Sequence, residues 1–384
     1  MKLSSHWSAF IVLGTLAFTL SLAGPAQAEW SHDPTVNTNL TTTDNHFGSS
    51  WMQTVPGNTG EVISMWENWD DRQVIVAQKL DADGVPLWGN GGAVVIADSM
   101  FTGHPCIAPD GSGGMFLVWS KPAPTGTLAR IQHFDQNGDP TWVTGGVVMQ
   151  QFALVGTVQS EPQVVSDGQG GAIVAWIHDG DNNDSVYVQR FNAAGTRQWS
   201  SGTLASFTTG DARALGLHTG TLVGEACLAW AQQGGDTGWD LFGQYVLPDG
   251  STQWTTEEET VICNSPGDQF SPQVVSFDYK GLLASWVGYG DGETPQVYVQ
   301  FKHRYGILMY GASGQNAVGY YASQGDPHLC AGPDRDAYLI YTDGPGWNEQ
   351  GGRVAVNRFE RDWSFVWGYQ GLTLSEQERC LYKS

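Results

Sequence analysis

The apolar positions of this chain fall in short runs of five to eight residues separated by glycine-rich or acidic turns. Glu161 to Trp199 shows the pattern best. Pro162 opens one apolar run, and Asp167-Gly168-Gln169-Gly170-Gly171 turns it into a second that ends at Trp176. A polar loop leads to Val186–Phe191, and Asn192–Gly195 turns into a run ending at Trp199. Runs this short, rich in Val, Ile and aromatics, predict strands rather than helices.

The same four-strand pattern recurs six times. The aromatic closing the second strand is Trp66, Trp119, Trp176, Trp230, Trp286 and Tyr341, at intervals of 53, 57, 54, 56 and 55 residues. A third-strand amide recurs as Gln78, Gln132, Gln189, Gln244, Gln300 and Asn357. A second aromatic is read as closing the fourth strand: Trp88, Trp142, Trp199, Trp254, Tyr310 and Trp367. A turn glycine precedes it at Gly84, Gly138, Gly195, Gly250 and Gly306, with Trp363 in the sixth copy.

One four-stranded sheet cannot cover both its faces, so neighbouring copies must stack, and a closed ring buries both ends. The pattern therefore predicts an all-β fold, a six-bladed β-propeller of four-stranded blades with a repeat of about 55 residues. The blades fall at 49–97, 103–150, 160–206, 210–263, 270–318 and 325–374. Residues 29–48 are expected to close the ring, because Val36–Leu40 resembles Gly202–Ala205, and residues 375–384 form a tail.

The pattern D-G-x-G-G-x-x-x-x-W, then [V/I]-x-[V/A]-Q-[R/K]-[F/L], then G-x-x-x-W is carried by Val74–Trp88, Asp110–Trp142 and Asp167–Trp199. It resembles repeats of bacterial exported β-propeller proteins and, more distantly, the six-bladed TolB-like propellers. The resemblance implies a fold and carries no catalytic residue set. The stretch Asp249–Trp254 only mimics the box of sialidase-type propellers, since its spacing differs.

Composition narrows the setting. Lys2, an apolar run from Phe10 to Leu22 and Ala26-Gln27-Ala28 read as an export signal over residues 1–28, which implies a secreted or periplasmic protein without membrane insertion. A formal charge of −22 argues against nucleic acid. The protein is expected to be monomeric and to need no cofactor, with a weakly bound Ca2+ the one cation suggested. Cys106, Cys227, Cys263, Cys330 and Cys380 show no zinc spacing and read as buried small residues with one or two bridges.

Three constellations carry candidate chemistry. A proline stands 14 residues before the anchor aromatic at Pro105, Pro162, Pro272 and Pro327, and the residue before it opens the innermost strand at the channel mouth. Extra residues in the fourth blade's first turn (Leu217 to Val223) set its register, and the ring reads Trp51, His104, Glu161, Asp211, Ser271 and Asp326. Two positions on stand Gln53, Cys106, Gln163, Arg213, Gln273 and His328. Carboxylates converging at ~7 Å repel by roughly 2 kcal/mol, which raises a carboxyl pKa or recruits a ligand. Glu161, Asp211, Asp326 and His104 are the catalytic candidates.

The second constellation is acidic. Loops between strands two and three carry Asp70, Asp71, Asp179, Asp181, Asn183, Asp184, Asp236, Asp240, Asp291, Glu293, Asp343 and Glu349. Asp179, Asp181, Asn183 and Asp184 alternate oxygen donors as a calcium loop does, without the later bidentate Glu. The third is aromatic: Trp69, Trp239 and Trp347 lie in the same loops, outside the repeat register. With no G-x-S-x-G, H-E-x-x-H or phosphate loop, the leading expectation is a non-catalytic propeller binding a glycan or protein on its long-loop face. Two alternatives stand beside it, a propeller glycosidase or lyase using channel-mouth carboxylates, and a calcium-stiffened surface protein.

Overall fold

The structure, a computed structural model, describes residues 40, 49–68, 74–89, 92–96, 102–124, 126–150, 157–180, 183–234, 238–278, 281–289, 294–317, 323–332, 334, 336–344, 353–360, 362, 364–368 and 371–376. Among them are 24 strands and one helical turn, Glu257–Thr260, closed by a Thr256 capping box. Consecutive strands pair antiparallel in fours. The inner strands are Ser49–Pro56, Thr102–Pro109, Thr157–Ser166, Ala212–Thr219, Gln269–Phe277 and Gln324–Ala331, and each packs beside the next in chain order. The second and third units form one continuous sheet through a short parallel pairing of Gly126 with Thr157 and Thr127 with Val158. No helix among the described residues is long and apolar enough to cross a membrane.

The cores lie between units. Second strands such as Ala172–Ile177 are buried on both faces, and five apolar clusters fill the seams from first to sixth unit. The anchor aromatics Trp66, Trp119, Trp176, Trp230, Trp286 and Tyr341 are all buried in these sheets. Truncating one of the tryptophans to Ala costs about 3–5 kcal/mol on general grounds.

The remaining repeat markers form a staple. Gln189 is fully buried; its Oε1 accepts from the backbone N–H groups of Arg190 and Trp199 (both 2.9 Å), and its Nε2 donates to the Trp199 and Ser200 carbonyls. Gln78, Gln132 and Gln244 grip Trp88, Trp142 and Trp254 in the same way. The indole then reaches the next unit: Trp88, Trp142, Trp199 and Trp254 donate to the carbonyls of Gln136, Ala193, Pro248 and Arg304 at 3.0–3.2 Å. The turn glycine is required here. A Cβ on Gly195 would stand 2.8 Å from the Trp142 ring, and its φ of +74° suits glycine.

Three expectations are corrected. The second aromatic does not close the fourth strand; Trp199 sits in the turn, and the fourth strand is Thr203–Leu204, because the glutamine holds the turn in place. The sixth unit's fourth strand, Leu372–Glu376, runs past the expected boundary at 374. Cys106, Cys227, Cys263 and Cys330 are all unbridged, the first three buried as small core residues. Cys380, the export signal, residues 29–39 and 41–48, and residues 377–384 lie outside the described residues.

Candidate functional site

Each inner strand is interrupted at one end. Pairing with the second strand skips at Trp51, between Ser160 and Gln163, between Arg213 and Gly216, between Phe270 and Gln273, and between Gly325 and His328. These are β-bulges, and the bulged residue adopts a left-handed conformation: Trp51, Glu161, Ala214, Ser271 and Asp326, with φ of +46° to +56°. A non-glycine residue there costs roughly 1–2 kcal/mol, offset by the packing of the whole unit. Because the bulge recurs, it belongs to the scaffold. The side chain it aims differs from unit to unit.

The bulges correct the fourth unit. Ala214 holds the ring position that the sequence reading gave to Asp211, because the first turn of that unit spans 220–225, one residue longer than 167–171. Asp211 lies three residues earlier, exposed, ahead of the inner strand, and Gly216 takes the place given to Arg213. Trp51 is half exposed and its indole donates to the Pro105 carbonyl at 3.0 Å. Asp326 and His328 stand exposed on the sixth inner strand. His104 lies in the second inner strand, with its side chain outside the description.

Glu161 has the richest surroundings. Its Oε2 accepts from the Leu215 N–H at 2.9 Å, tying the third unit to the bulge of the fourth. Burial pushes its pKa up; the backbone donors of Leu215 and Ala214 oppose this, Asp179 adds to it, and Arg213 pulls it down. Asp179 ends the second strand and accepts from Ser160 Oγ at 2.8 Å. Its pKa is raised by burial and by Asp184 and Asp211, against the opposing Ser160 bond and His178. Burial holds His178 below its ordinary value, and its Nδ1 is buried with no hydrogen-bond partner in the described residues.

Arg213 does not pair directly with these carboxylates. Its guanidinium lies over Trp239, 3.6 Å from the ring centroid, and the backbone N–H of Trp239 donates to Asp268 Oδ1 at 3.1 Å. Trp239, expected in a loop, lies instead in the third strand Gly238–Val246 and thus joins the site; Trp69 and Trp347 lie outside the described residues. So does Asp181 of the acidic loop, whereas Asn183 is exposed. Asp184 is buried, its Oδ1 accepting from Gly180 N at 3.2 Å and its Oδ2 from Ala212 N at 2.7 Å. It therefore closes the loop against the next unit. Among the described residues no group of three or more His, Cys, Asp or Glu is arranged to hold a metal ion.

The structure thus gathers Glu161, Asp179, Asp184, Asp211, Arg213 and Trp239 at one end of the third and fourth units, and adds Ser160 and His178. The sequence signal for His178 was its place beside Asp179, at the end of an otherwise apolar strand. Chemically the arrangement offers a carboxyl held protonated above its usual range, a second carboxyl beside it, a neutral imidazole and a fixed cation.

No protein-family model matches the chain, and no curated protein matches it. Solved structures do. An ulvan lyase, a polysaccharide lyase, is similar at 9% identity with a TM-score of 0.54, covering 84% of this chain and 82% of that one. The same enzyme with bound saccharide gives a TM-score of 0.53. An α-L-arabinanase of Penicillium chrysogenum is similar at 13% identity, 82% and 94% coverage and a TM-score of 0.44. The likeness establishes an all-β, propeller-like fold of four-stranded antiparallel sheets, without singling out the TolB-like group. It also corrects the leading functional expectation. The ulvan lyase that shares this fold is a carbohydrate-cleaving enzyme, so the expectation of a non-catalytic binding propeller is not carried forward.

Proposed function

We propose that this chain is a carbohydrate-active enzyme that cleaves glycosidic bonds where the third and fourth units meet. The observation that carries the reading is Glu161, a carboxyl aimed by a bulge, raised in pKa by burial, and flanked by Asp179. Glycosidic cleavage needs a carboxylic acid to protonate the leaving oxygen and a second carboxyl group to act as base or nucleophile. Glu161 is assigned the first role and Asp179 the second. Ser160 orients Asp179, and Asp184 fixes the loop between them and the fourth unit. Release of reducing ends from a panel of polysaccharides, lost in Glu161→Gln, is the test; a panel-wide absence of release overturns the reading.

Elimination is the second route, favoured by His178. A half-buried imidazole whose pKa is lowered by burial is a base able to take a proton from carbon, with Glu161 as acid. The ultraviolet absorbance of an unsaturated sugar end separates lyase from hydrolase.

The reading includes a closed ring of six blades with a repeat near 55 residues, exported from the cell. Closure is supported at Leu40. Its carbonyl accepts from Gln78 Nε2 at 3.4 Å, as the Ala205 carbonyl, just past the third unit's fourth strand, accepts from Gln244 Nε2 at 3.4 Å in the next unit. Leu40 thus meets the first unit as the end of a preceding blade would.

A further inference from the structure

Arg213 stands out at this mouth because its charge is unspent. Among the described residues it is the one permanent cation at this end of the third and fourth units, beside Glu161, Asp179, Asp184 and Asp211. An arginine in such company ordinarily forms a bidentate ion pair. Here, in the described residues, the guanidinium donates to no carboxylate and no carbonyl; it lies flat on Trp239 at 3.6 Å. Three of these four acids are engaged elsewhere. Asp179 is held by Ser160, Asp184 by two backbone N–H groups, and Glu161 by Leu215.

The stack has two consequences. It covers one face of the Trp239 ring, so that face is closed to a sugar. It also fixes the guanidinium plane, so the side-chain entropy of ordering the fork is spent before any ligand arrives. What remains open is the edge of the fork, whose parallel N–H groups match a planar carboxylate. A neutral glycan leaves that fork unsatisfied. A carboxylate ligand is also the group that the surrounding acids would otherwise repel, which makes Arg213 the element on which its binding depends.

We infer that the Arg213–Trp239 stack is the subsite for a carboxylate-bearing sugar, a uronosyl residue of the chain cleaved beside it. The inference rests on the proposed glycosidic cleavage for the location of the substrate, and its test reads binding rather than turnover. In the Glu161→Gln protein, the affinity of oligogalacturonates and oligoglucuronates is compared by calorimetry with that of the same oligomers methyl-esterified, which removes only the charge. The free acids are expected to bind about 10- to 100-fold more tightly, the worth of one or two charge-assisted hydrogen bonds.

Adding Arg213→Gln abolishes the preference, and adding Arg213→Lys, which keeps the charge without the fork, leaves part of it. Melting curves of each variant confirm that it is folded. Equal binding of acid and ester, binding of neither, or a preference that survives Arg213→Gln overturns the subsite. Cleavage of neutral glycans without discrimination leaves the proposed function standing and removes this inference. A preference for the acids without cleavage of any glycan does the reverse.

Discussion

At the scale of single residues, the mouth concentrates groups whose charge is disfavoured by burial. Replacing Glu161 with Gln is expected to lower kcat by about 10²- to 10⁴-fold, the usual contribution of a general acid, measured on whichever glycan the wild type cleaves. The same change carries a stability signature. The folded pKa of Glu161 lies above its ordinary 4.5, so the folded state holds this proton more tightly than the unfolded chain does. Its stabilising contribution is complete below about pH 4.5 and is lost as pH rises through the folded value. Glu161→Gln should therefore raise the melting temperature at neutral pH and lose that gain toward pH 4. A melting difference independent of pH would count against a buried, raised carboxyl. Glu161 was legible in the sequence as an acid opening an inner strand, whereas Asp179 was legible only as a donor of a calcium-like loop. Arg213 against Trp239 was not, because the contact joins two strands of one unit whose register depends on a bulge.

At the scale of elements, the repeat markers were legible because each performs the same task in nearly every unit. A glutamine that grips a turn, an indole that crosses a seam and a glycine that makes room for it cannot drift independently. Gln189→Leu should cost about 1–3 kcal/mol, since it leaves the buried N–H groups of Arg190 and Trp199 without an acceptor. Gly195→Ala should cost a similar amount through its clash with Trp142 and its left-handed backbone. Urea unfolding measures both, and a loss below ~0.5 kcal/mol in either would mean that the turn relaxes without the staple. The fourth unit shows where legibility stops. The 220–225 turn holds only one extra residue, too few to bring Asp211 into the ring, so Ala214 takes that position. Periodicity locates a turn without saying which of its residues the ladder absorbs.

At the scale of the whole molecule, stability is shared among seams, each between two neighbouring sheets. The described cores fill five such seams, from the first unit to the sixth. The proposed closing contact at Leu40 makes a direct prediction. Removing residues 1–48, compared with removing residues 1–28 alone, should lower the melting temperature and expose the edges of the first and last units to proteolysis. An unchanged melting curve would show that the ring does not depend on that segment.

The indole staples also make the molecule its own set of optical probes. Trp88, Trp142, Trp199 and Trp254 each span a different seam and donate to one carbonyl across it. The emission colour of an indole depends on whether it is dry or wet, so the difference in emission between the wild type and a protein with phenylalanine at one staple isolates that indole from the other tryptophans and reports the parting of its seam. Four such proteins, stressed in parallel, would rank the seams by the order in which they admit water. The rank of Trp199, whose seam carries the proposed site, would show whether the junction that does the chemistry is also the first to breathe.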